Sequence, residues 1–128
     1  MNHGSGQIRV DIEIENPARA GELRKVNSVL VDSEAALSWV PADVLESLGI
    51  KSYKTRRFRQ ASGAVLERWI GVADVHVAGR RTSDDIVFAQ SADPTVLGAR
   101  TLVGLNFRID PVTKQLVDAG PVLAAATT

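Results

Sequence analysis

Ile8-Arg9-Val10-Asp11-Ile12-Glu13-Ile14 alternates apolar and polar positions without a break. That is the period of a half-buried strand. Asn16-Pro17 stops it. A second run, Val26 to Val31, grows more apolar toward its end and predicts a second strand. The period then changes. In Pro41 to Gly49, Val44, Leu45 and Leu48 share one helical face. Pro41 suits the first helical position and Gly49 the C-terminal cap, so a short helix is predicted there. Arg56 to Gln60 and Val65 to Trp69 are extended runs around Ala61-Ser62-Gly63-Ala64, the pattern of a hairpin with a glycine-containing tip. Val72 to Val77 and Asp85 to Phe88 predict two more strands, joined by the Gly79-Arg80-Arg81 turn. Ala99 to Val103 is a short helical stretch stopped by Gly104. Leu105 to Ile109 and Gln115 to Val117 flank the Asp110-Pro111 turn as a last hairpin.

Many short strands and two short helices make a mostly-β, barrel-like domain. It covers residues 8–118, between a small polar tail at 1–7, expected to be disordered, and a loose tail at 119–128. No solenoid repeat, low-complexity segment or second domain is visible.

The chain has 128 residues, 45% apolar but only 5% aromatic, so the expected core is aliphatic. Fifteen Lys and Arg balance fifteen Asp and Glu. A neutral chain gives no electrostatic reason to expect nucleic acid or an anionic membrane as partner. There is no cysteine, which removes disulfides, thiolate metal sites and a cysteine nucleophile, and fits a reducing compartment. MNHGSGQ lacks the basic-then-apolar run of a signal peptide, and no apolar stretch reaches the roughly 18 residues of a membrane span. The expectation is a soluble, cytoplasmic protein. With two histidines, one of them His3 in the tail, an intrachain zinc site is not expected, and no metal or other cofactor is called for.

The segment with candidate chemistry is Ser28 to Pro41. An apolar strand, Val29-Leu30-Val31, runs into Asp32-Ser33-Glu34-Ala35. Taken alone, Asp32 could cap a turn. The downstream motifs change that. Pro41 and a helix ending in Leu48-Gly49-Ile50 follow. The glycine-tipped hairpin comes next, then Val96-Leu97-Gly98, a short helix with Thr101-Leu102, and Arg108-Ile109-Asp110-Pro111. In this order the motifs resemble the retropepsin-like aspartic peptidases, in particular the small stand-alone bacterial members of that clan. The resemblance runs from about Ile8 to Val117.

The resemblance implies a retropepsin-like acid-protease barrel and an aspartic endopeptidase acting on a peptide or protein substrate. Such enzymes use two aspartates that share a proton: one activates a water, the other protonates the scissile carbonyl. A single Asp motif implies a homodimer, with Asp32 of each subunit meeting on a two-fold axis. Ser33 matches the hydroxyl that braces the two active-site loops, and Ala61, Ser62, Gly63 and Ala64 match the tip of a flap that closes over substrate. Glu34 departs from the family, which has glycine there. It brings a side chain into a crowded loop and a further carboxylate beside a repulsive pair. The alternative is therefore a catalytically inactive module of the same fold that binds peptides or mediates dimerisation. Ala36 and Ala99 stand where retroviral members carry a carboxylate and an arginine that pair. Losing both leaves no unpaired charge.

The remaining features have bland readings. Arg56, Arg57 and Arg59 read as an exposed hairpin face rather than a contact for acidic substrate or RNA. His76, on one face with Asp74, reads as a solvated strand position, and Asp84-Asp85 as a turn. Trp39 and Trp69 read as core or cleft wall.

Overall fold

The computed structural model describes residues 7–125. In chain order the elements are β1 (Ile8–Glu15), β2 (Leu23–Val31), β3 (Ser38–Pro41), α1 (Ala42–Ser47), β4 (Lys54–Arg59), β5 (Val65–Val77), β6 (Arg80–Ala89), β7 (Val96–Leu97), α2 (Ala99–Leu105), β8 (Phe107–Asp110) and β9 (Gln115–Asp118). The architecture is mostly β, as the alternation predicted. Met1–Gln7, expected to be a disordered tail, lies outside the described residues apart from Gln7. Residues 119–125 form no helix or strand, but Ala119 N–H donates to Asn106 O at 2.9 Å.

Seven strands form one sheet in the order β1-β2-β7-β3-β6-β5-β4, and β1 pairs again with β5 to close it. The closure depends on β5, which is one strand of 13 residues rather than the two predicted. Its second half pairs with β1 through Glu13↔His76 to Glu15↔Asp74, while its first half pairs with β4 from Val65 to Ile70. Gly71 lets the strand run on: a Cβ there would stand 2.8 Å from Lys51 O and 2.9 Å from Phe88 Cε1. Only glycine permits so close an approach.

The apolar faces of β1, β2, β3, β5, β6, β7 and both helices bury Ile12, Ile14, Leu45, Leu48, Val75 and Leu97 in one core that is aliphatic but for Phe88. A second, smaller cluster of Leu37, Trp39, Ile70, Val87, Ala89 and Val96 lies beneath the β4–β5 hairpin.

Element ends differ from the sequence reading in two instructive places. Pro41 is the N-cap of α1, with φ −50° and ψ 132°, because β3 runs up to it and pairs Pro41 with Ala89 of β6. The C-terminal end is as expected: Gly49, φ +74°, donates to Glu46 O, and Ile50 donates to Leu45 O. These two bonds are a Schellman motif. Gly104 does not stop α2, which continues to Leu105 and ends on left-handed Asn106 (φ 58°). The glycine is there for packing, since a Cβ would collide with the Thr82 side chain of β6.

Candidate active site

β2 ends at Val31, and Asp32 N–H donates to Leu97 O at 2.9 Å, which carries the parallel β2–β7 ladder one residue further. This bond fixes the backbone that presents the half-buried Asp32 side chain. The loop then turns on the carboxylate itself: Asp32 Oδ1 accepts from Glu34 N–H at 3.0 Å and Asp32 O from Ala35 N–H at 3.2 Å. β7 lies between β2 and β3, so the loop from 32 to 37 passes over the end of β7 and returns as β3.

The start of α2 closes this loop from below. Ala99 N–H donates to Ala35 O at 2.8 Å and Arg100 N–H to Ala36 O at 3.2 Å. Ala36 and Ala99 are thus not bonded to each other; each makes its backbone bond to the residue next to the other. A Cβ on Gly98 would lie 2.6 Å from the carbonyl carbon of Leu37 and 2.9 Å from Ala35 O. The glycine of Val96-Leu97-Gly98 is required by that approach, not by its φ of −96°.

Behind the loop runs a buried polar chain. Gly98 N–H donates to Ser38 Oγ at 2.8 Å, Ser38 Oγ lies 2.6 Å from Thr101 Oγ1, and Thr101 Oγ1 donates to Asp84 Oδ2 at 3.0 Å. Asp84 Oδ1 accepts from Asp85 N–H and from Arg100 Nε. Burial raises the Asp84 carboxyl above its ordinary value, against the lowering effect of the Thr101 hydroxyl, the Asp85 N–H and the Arg100 charge. Asp84-Asp85 is therefore no turn. It lies within β6, which starts five residues earlier than the alternation suggested.

Asp32, Glu34 and Ala35 line a cleft of about 580 Å³ whose other wall is the β4–β5 hairpin and whose end is the loop at 92–94. Its apolar side is Leu37, Trp39, Phe58, Leu66 and Val96, with the Trp39 and Phe58 rings edge to face at 5.0 Å. Beyond Trp69 the hairpin is a two-stranded ribbon, which is marginal on its own. It is held down by the ring pair, by Leu66 packed on the cluster beneath, and by Arg68, which donates to Asp93 Oδ2 at 2.7 Å and Oδ1 at 2.9 Å. Arg68 holds the Asp93 carboxyl below its ordinary value.

The predicted site residues thus divide. Asp32, Glu34, Ala35 and Ala61 meet in the cleft, whereas Ser33, Ser62, Gly63 and Ala64 do not line it. Gly63 makes the tip with φ +93° and donates to Gln60 O. Glu34 is exposed, and its φ is not positive, so the backbone accepts a side chain there without strain.

Arg56, Arg57 and Arg59 are exposed as expected, yet they also line the cleft. Trp39 is cleft wall, but Trp69, 54% exposed, lies on the outer face of the hairpin. His76 is not a solvated position: its Nε2 lies 2.7 Å from Oε1 of Glu15, which is 5% exposed. Its neighbour Asp74 is buried too and accepts from Ser83 Oγ. β1 pairs with this half of β5 and brings Glu15 to it. Sequence reading missed Arg68–Asp93 and the Ser38–Thr101–Asp84 chain, because no local pattern joins residues 25 or 63 positions apart. Among the described residues, no group of three or more His, Asp or Glu is placed to hold a metal ion, and no helix is long and apolar enough to cross a membrane.

The fold is a mostly-β, retropepsin-like barrel. The solution structure of the Simian Foamy Virus (mac) protease is similar at a TM-score of 0.50, with 19% sequence identity over 75% of this chain and 92% of that chain. At that identity the likeness shows the fold. No protein-family model matches the chain, and no curated protein does.

Proposed function

We propose that the chain is an aspartic-type endopeptidase of the small stand-alone, bacterial retropepsin-like type, acting in the cytoplasm on peptide or protein substrates as a homodimer. Residues 8–118 are the working unit. The observation that carries this reading is the placement of Asp32: half buried, at the end of β2, at the floor of a cleft roofed by a hairpin.

Asp32 of each protomer would meet across a two-fold axis, where two adjacent carboxylates share one proton. The ionised carboxylate takes a proton from a water, whose oxygen attacks the scissile carbonyl carbon while the protonated carboxyl donates to the carbonyl oxygen. Collapse of the resulting diol breaks the C–N bond: the carboxyl that took the water's proton gives it to the leaving nitrogen, and the ionised carboxylate takes a diol hydroxyl proton as the new C=O forms. Ser33 is the bracing hydroxyl between the two loops, and its exposure in one protomer suits a contact supplied by the second. Ala61, Ser62, Gly63 and Ala64 form the flap tip.

Glu34 supports a second reading, a catalytically inactive peptide-binding or dimerisation module, because it adds a carboxylate at the cleft floor. Digestion of casein and a peptide library from acidic to neutral pH separates the two. Cleavage lost in Asp32→Asn supports the peptidase. Binding of extended peptides without cleavage by either form supports the module. A chain that stays monomeric at high concentration overturns the shared site.

A further inference from the structure

The hairpin strand over the cleft carries four cations in six residues, Lys54 to Arg59. Their surroundings are not equivalent. Arg57 sits opposite Glu67 in the β4–β5 register, and Arg59 donates to Gly63 O. Arg56 sits opposite another cation, Arg68, and like charges directly opposite are unfavourable. Arg68 is committed to Asp93 by two hydrogen bonds. Of Arg56, Arg57 and Arg59, only Arg56 faces a like charge across the ribbon, and none of the three has an ion pair among the described residues. Glu34, which lines the same cleft, does not supply one.

Arg56 shares its strand face with Phe58, and their register partners Arg68 and Leu66 face the same way. This face looks onto the apolar cluster around Trp39. An uncompensated guanidinium therefore stands in the cleft next to an apolar subsite. A planar guanidinium fits a carboxylate through two parallel hydrogen bonds.

We propose that the cleft selects extended peptides carrying an Asp or Glu side chain, and that Arg56 is the residue that receives that carboxylate. This rests on the peptidase reading and adds the substrate class. The acidic side chain lies toward the hairpin, away from Asp32 and Glu34 on the floor, and a neighbouring apolar side chain packs against Trp39 and Phe58.

The test is a peptide library digested by the full chain near about pH 5, where Asp and Glu side chains are ionised, with cleavage sites read by mass spectrometry. The expected result is enrichment of Asp or Glu at one position relative to the cut. A matched peptide with Gln at that position should have a kcat/KM lower by about tenfold, the scale of one charged contact in a substrate site. Arg56→Glu should reverse the preference toward Lys or Arg, and Arg56→Lys should keep it. Arg56→Gln, which removes charge at nearly constant length, serves if the reversal variant fails to fold. Equal cleavage of acidic and Gln peptides, or an acidic preference that survives Arg56→Gln, overturns the inference and leaves the peptidase reading standing. Absence of any cleavage or binding across the library overturns both.

Discussion

Ser38 Oγ and Thr101 Oγ1 lie 2.6 Å apart, and through them the start of α2 is tied to β3 on one side and to the Asp84 carboxylate on the other. Thr101 has no exposed surface. A buried hydroxyl between two polar partners is costly to remove, since both partners lose a bond that water cannot replace. Thr101→Val should therefore lower stability by about 1–3 kcal/mol. Ser38→Ala should cost a similar amount, and the double variant less than the sum, because each removes the same bond. Urea denaturation of the four proteins measures all three.

Gly98 predicts a different failure. Its neighbours are backbone atoms of Ala35 and Leu37, which cannot rotate away as a side chain would. Gly98→Ala should displace the loop after Asp32 and cost about 1–3 kcal/mol, the range for overpacking. It should also reduce peptidase turnover more than Thr101→Val at equal loss of stability, because the shift falls on the loop that carries Asp32. Turnover compared at matched folded fraction checks this.

The Arg68–Asp93 pair predicts hairpin mobility. Removing Arg68 leaves Asp93 with only the Gln90 N–H, and frees the ribbon that the pair ties to the loop after β6. Arg68→Ala should speed amide exchange from Arg56 to Leu66 without affecting Val29 to Val31. Because Arg68 lowers the Asp93 carboxyl, the tie is intact above the ordinary aspartate range and is lost as pH falls through the lowered value. Exchange measured down that range should accelerate in the wild type and not in Arg68→Ala.

Glu15 predicts the acid limb of stability. Its carboxyl is held below the ordinary value, first by the Gly21 N–H and then by His76. A group lowered on folding contributes stability that is present above its unfolded value and lost as pH falls through the folded one. The loss therefore begins below the ordinary range of a free glutamate carboxyl. Glu15→Gln should flatten the dependence of the urea midpoint on pH in this window while lowering stability at neutral pH.

The elements that sequence made legible are those whose cause is local. Strict alternation marks β1, and Gly49 marks the end of α1. The apolar run of β2 delivers Asp32. What stayed hidden needed a distant partner. Val72 to Val77 looked like a separate strand, and its continuity with Val65 to Trp69 through Gly71 shows only when Lys51 and Phe88 are seen against that glycine. Asp84 looked like a turn residue because Thr101 and Arg100, which satisfy it, come from α2. Ser38 to Pro41 is too short to show a period, and its strand character comes from pairing with β6 and β7.

Glu34 carries the sharpest prediction. Sequence comparison with the retropepsin pattern suggested both a steric and an electrostatic penalty at this position. The steric part is relieved within the single chain: residue 34 has no positive φ, its side chain is exposed, and its N–H still reaches Asp32 Oδ1. The charge remains, because the side chain lines the cleft with Asp32 and has no ion pair among the described residues. In the proposed dimer, a second carboxylate from each protomer near the shared proton would oppose ionisation of the Asp32 pair. Glu34→Gly should raise turnover of a generic peptide by at least about tenfold, which is about 1.4 kcal/mol of barrier. If charge is the cause, Glu34→Gln should recover most of that gain and should move the pH optimum as far as Glu34→Gly does. If crowding between the two loops is the cause, Glu34→Gln should recover little. Either gain must vanish when Asp32→Asn is added. A vigorous activity that neither substitution alters would place Glu34 clear of the dimer axis and remove it from the mechanism.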